Sequence, residues 1–125
     1  MNIITDKKSK RYLIKKKTSI LLIDNEITAL ALIHEMLEGL GYSVLSFCQE
    51  SEAVTSYKNV WKEIDIVAVC MQKSDYENRV TVALRGVNPD ARILFYNREQ
   101  VAAGLYIYHV GYEGFKTKID HLMNN

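Results

Sequence analysis

The stretch Glu63–Asp75, "EIDIVAVCMQKSD", decides how the rest of the chain is read. Ile64, Ile66, Val67 and Val69 make a short apolar run rich in β-branched residues, the pattern of a strand covered on both faces. The run ends on a lone thiol, Cys70. Working outward, the same pattern recurs upstream in "SILLID", ending at Asp24, and downstream in "ARILFYN", ending at Asn97. Between these runs lie segments of helical periodicity. Ile27, Leu30, Ile33, Leu37 and Leu40 share one face, with Glu35 and Glu38 on a polar side and Gly39 and Gly41 supplying a stop. "SVLSF" reads as a further short strand, and "ESEAVTSYKN" and "YENRVTVALRGV" as helices. Residues 99–111 read as a weaker helix, "EGFKT" (113–117) as a short fifth strand, and the last seven residues as a truncated final helix.

Strands alternating with helices at these lengths predict an α/β fold. The expected architecture is a doubly wound, open, five-stranded parallel sheet with helices on both faces. Ligands of such a sheet sit beyond the carboxyl ends of the strands, near the switch point. That rule gathers Asp24, Asn25 and Glu26 after the first strand, Cys70 after the third, Asn97 after the fourth and Lys118 after the fifth.

The bulk numbers restrict the function. At 125 residues the chain suffices for one domain with a core. Its 48% hydrophobic content includes no apolar run near the twenty or so residues of a membrane span. No secretory leader is evident, and two cysteines, Cys48 and Cys70, make no disulfide framework, so a cytoplasmic location is expected. The net charge of +1 is unevenly spread. An arm over residues 1–17 carries Lys7, Lys8, Lys10, Arg11, Lys15, Lys16 and Lys17 against one acid, Asp6, and precedes an acidic domain over residues 18–125.

Four segments then resemble, in order and at suitable spacing, the receiver domains of bacterial two-component response regulators (the CheY-like family): "ILLIDNE", "DIVAVC", "PDARILFYN" and "GYEGFKTK". The resemblance spans residues 18–122 and implies the sheet order 2-1-3-4-5. It also places Cys70 where the family carries its phosphoryl-accepting aspartate. Asn25 stands for an acidic magnesium ligand, Asn97 for a hydroxyl residue, and Ile119 for the proline after the lysine. Asp24, Glu26, Phe115 and Lys118 keep the family's residue type. Magnesium requires hard oxygen ligands, and aspartyl phosphorylation requires a nucleophilic carboxylate. The departures therefore imply no metal, no cofactor, no catalytic residue and no aspartyl phosphorylation. They also imply a trans Lys118–Ile119 bond, with Lys118 turned toward Asp24 or solvent and Ile119 against the sheet.

The function expected on this basis is a non-catalytic signalling module that binds a protein: a histidine kinase, another regulator, an output protein or a second copy of the chain. Phe115, Tyr106 and Tyr108 fall on the family's output face. Two alternatives stay open. Cys70 beside the Lys118 ammonium could serve as a redox-responsive thiol. The basic arm could hold nucleic acid or an anionic surface. A cysteine–histidine enzyme is disfavoured, because His34, His109 and His121 fall outside the expected pocket.

Overall fold

The computed structural model describes residues 16–70, 76–97 and 110–124. Among these, four strands form one parallel sheet in the order β2-β1-β3-β4: β1 (Ser19–Ile23), β2 (Ser43–Phe47), β3 (Ile66–Cys70) and β4 (Ile93–Tyr96). Four helices accompany them: α1 (Ile27–Gly39), α2 (Glu50–Val60), α3 (Tyr76–Val87) and α4 (Val110–Met123). A 3-10 turn, Trp61–Glu63, follows α2.

The sheet has two covered faces because successive strand residues point in opposite directions. Ile20, Leu22, Ile66, Ala68, Cys70, Leu94 and Tyr96 share one core with residues of α1 and with Phe115 and Ile119 of α4. Leu21, Ile23, Val67 and Val69 point the other way, into a core shared with Ala53 and Tyr57 of α2 and Val80 and Leu84 of α3. A helix layer on each face is the reason β1 and β3 read as unbroken apolar runs. At the amino ends of the strands, Asp65 fixes the register. Its Oδ2 accepts the Ser19 N–H at 2.8 Å, and its own N–H donates to the Ser19 carbonyl at 2.9 Å.

The carboxyl-terminal segment departs from the sequence reading. "EGFKT" is no strand, and the final helix is not truncated: both belong to α4, a helix of 14 residues. A strand would put Glu113, Phe115 and Thr117 on one face. A helix instead aligns Phe115, Ile119 and Leu122, at spacings of four and three. Phe115 and Ile119 are buried, and Leu122 and Met123 pack against the same core. Each full burial is worth roughly 1.5–3 kcal/mol. The Lys116 ammonium also pairs with the Asp120 carboxylate one turn on, at 2.7 Å. Residues 98–109, which hold most of the expected fourth helix, lie outside the described residues.

Helix α1 stops by a Schellman motif. The Tyr42 N–H donates to the Leu37 carbonyl at 3.1 Å, and the Gly41 N–H to the Glu38 carbonyl at 3.0 Å. The motif needs a left-handed residue, and Gly41 supplies it with φ +98°. Gly39 sits inside the helix with open space around it. The two glycines should therefore respond oppositely to alanine. Gly41→Ala is expected to lower stability by about 1–2 kcal/mol, because a Cβ is strained in that conformation. Gly39→Ala is expected to leave stability unchanged or raise it by up to about 1 kcal/mol, because alanine is the better helix former. Urea denaturation of the two variants checks the contrast.

Candidate functional site

The carboxyl edge of the sheet collects three side chains on one face. Ile23 is opposite Val69, so Asp24 follows β1 opposite Cys70, and Cys70 is itself opposite Tyr96. Asp24, Cys70 and Tyr96 therefore form a row across β1, β3 and β4. All three are buried, Asp24 to 1% exposure. A carboxyl group removed from water requires hydrogen-bond donors. The Tyr96 hydroxyl donates to Asp24 Oδ2 at 2.7 Å, and the Glu26 backbone N–H donates to Oδ1 at 3.0 Å. The Tyr96 ring is held in turn by Phe115, with ring centroids 5.3 Å apart and planes inclined at 45°.

On the opposite face, Tyr76 and Arg79 stand at the start of α3. The Arg79 guanidinium pairs with Glu50 in the first turn of α2 at 2.5 Å and lies over the Tyr76 ring, 5.0 Å from its centroid. Burial raises the Tyr76 phenol above its ordinary pKa, and the Glu50 carboxylate adds to the effect. Tyr76 therefore stays neutral at physiological pH.

The structure distributes the expected site residues unevenly. Asp24 and Cys70 meet at the carboxyl edge, as the topology requires. Asn25 is exposed and Asn97 is partly buried. Glu26 is exposed and caps α1: its Oε1 accepts the Ala29 N–H at 2.7 Å, so this oxygen is committed to the helix start. Lys118 is displaced from its expected position, because the strand that was to carry it is helical. It is exposed on α4 and borders a groove of about 370 Å³ with Ile93, Leu94, Phe95 and Leu122. Among the described residues it makes no ion pair with Asp24. Ile119 is fully buried, and no cis peptide bond occurs among the described residues.

Phe115 was expected on an output surface, but it is buried at 4% exposure against Tyr96. Tyr106, Tyr108 and the arm residues Lys7, Lys8, Lys10, Arg11 and Lys15 lie outside the described residues, whereas Lys16 and Lys17 are exposed. Cys48 is partly buried, and neither cysteine is in a disulfide. His34 sits between α1 and β2, bonded through Nδ1 to Ser46 Oγ and paired through Nε2 with Glu38 at 3.2 Å.

Sequence reasoning missed Tyr96. It took Asn97, the last residue of the run, as the strand-end group. The period of two was the available signal: Leu94 and Tyr96 share the face of Cys70.

The magnesium ion that the resemblance implies does not fit the donor set of the described residues. Asp24 is the one buried carboxyl group in the row, and each of its oxygens accepts a hydrogen bond. Cys70 offers a soft sulfur, buried in the core, where a hard cation needs oxygen.

The Asp24–Tyr96 bond has a measurable weight. Tyr96→Phe keeps the ring but leaves a buried carboxyl oxygen without this donor, so a loss of about 1–3 kcal/mol is expected. A double-mutant cycle of Asp24→Asn with Tyr96→Phe, read by urea denaturation, should give a coupling energy of at least about 0.5 kcal/mol. Additive losses would mean that the pair contributes no mutual stabilisation.

No family model matches the sequence, and no curated protein does. Among solved structures, the chain is similar to the crystal structure of a response regulator receiver domain protein from Clostridium thermocellum. The match has a TM-score of 0.68 and 19% sequence identity, and covers 86% of this chain and 94% of that one. Likeness at that identity establishes architecture, and the architecture of this chain is that of a receiver domain.

Proposed function

We propose that the protein is a signalling module of receiver type that acts by binding another protein, without aspartyl phosphorylation and without catalysis. One observation carries this reading: the residue at the end of β3 is a buried thiol, and the neighbouring carboxyl group is already hydrogen-bonded to Tyr96. Phosphoryl transfer to a receiver needs a carboxylate nucleophile, and it needs a cation to spread the charge that develops on the transferred group. The end of β3 offers a thiol in place of that carboxylate, and both oxygens of Asp24, the one carboxyl group in the row, already accept hydrogen bonds. What the fold offers is a sheet edge connected through Phe115 to α4, a helix with an exposed polar side. That arrangement suits a protein contact, and the proposed partner is a component of a signalling pathway in the cytoplasm. The redox alternative loses its main support, because the ammonium expected beside Cys70 lies on the exposed side of α4.

The test uses the unmodified chain. Calorimetric titration with magnesium chloride should show no sub-millimolar binding. Incubation with acetyl phosphate and magnesium should leave the intact mass unchanged. Saturable magnesium binding together with a mass increase of one phosphoryl group would overturn the reading.

A further inference from the structure

We infer that Tyr96, more than the loss of the acceptor aspartate, is the residue that keeps a cation out of the carboxyl edge. The inference rests on reading that edge as a receiver-type pocket. Strands in a sheet lie about 4.8 Å apart, so β1 and β4, with β3 between them, are roughly 10 Å apart. The Tyr96 hydroxyl nevertheless reaches Asp24 Oδ2 at 2.7 Å. To do so the phenol must cross the end of β3 on the face toward which Cys70 points. Its ring thus covers the position from which a residue at the end of β3 would meet a ligand of Asp24. Its hydroxyl hydrogen points at the oxygen that a metal ion would need.

The cover is fixed in place. Tyr96 is 3% exposed, lies in the same core cluster as Cys70, Phe115 and Ile119, and stacks on Phe115 of α4. Another rotamer would carry the ring away from Phe115 and expose aromatic surface, so the closed position is the one that packing favours. Restoring carboxylates at positions 25 and 70 leaves this cover where it is. Tyr96 is therefore a positioning residue that decides whether the edge can accept a cation, and it ties that decision to the seat of α4.

Magnesium chloride is the probe, and the full chain carrying Asn25→Asp and Cys70→Asp is the background. With Tyr96 in place, calorimetry should detect at most weak binding. Adding Tyr96→Val should tighten binding by about tenfold or more. Equal affinity with and without Tyr96→Val would overturn the inference. Sub-millimolar magnesium binding by the double variant with Tyr96 intact would do the same, while leaving the proposed function of the native chain standing. Binding by the unmodified chain would instead contradict that function.

A second measurement covers the case in which buried carboxylates unfold the background. In the chain with both cysteines, Tyr96→Val should speed iodoacetamide labelling of Cys70 by about tenfold while Cys48 keeps its rate. An unchanged Cys70 rate would overturn the inference. If both cysteines accelerate alike, Tyr96→Phe decides: it should label Cys70 at the native rate because the ring remains, and acceleration confined to Cys70 would show that the ring is not the cover.

Discussion

The hydrogen bond from Tyr96 to Asp24 is the interaction on which the rest of the carboxyl edge depends. A carboxyl group at 1% exposure is stable only while donors reach it, and this structure supplies them from two directions. One donor is the backbone of the turn that starts α1. The other is a side chain from β4, two strands away. The second contact joins the first strand of the sheet to the last described one, and through Phe115 it joins both to α4. Removing Asp24 would take an acceptor from the Tyr96 hydroxyl, and removing Tyr96 would take a donor from a buried carboxyl oxygen. The edge is thus built as a unit.

The sheet was legible because its physical signals agree. Unbroken apolar runs at Ser19–Ile23 and Ile66–Cys70, separated by segments of helical period, permit little besides a parallel sheet covered on both faces. The placement of Asp24 and Cys70 at one edge followed from that topology alone. The carboxyl-terminal third was read less well, and the reason is specific. "EGFKT" reads as a short strand in the alternation of elements, although Phe115, Ile119 and Leu122 carry a helical period. That period wins because it buries two large side chains at once. Moving Lys118 onto a helix removed the cation from the expected pocket. Tyr96 was missed because the last residue of a strand was given weight that belonged to its face. Glu26 was read as a remnant of a metal site, whereas its side chain caps α1.

Among the described residues, Lys118 is at the surface of α4, and the Tyr96 hydroxyl donates to an oxygen of Asp24 at the carboxyl edge. On the proposed function the helices around the sheet form the binding surface, and α4 is the helix that meets the carboxyl edge through the Phe115–Tyr96 contact.

A crystal structure of the chain grown with magnesium and beryllofluoride, an analogue of the bound phosphoryl group, tests this account most directly. The account predicts the Tyr96 hydroxyl still within hydrogen-bonding distance of Asp24, the ring packed on Phe115, and no cation on the carboxyl group. A magnesium ion bound to Asp24, with Tyr96 swung out and α4 displaced, would contradict it.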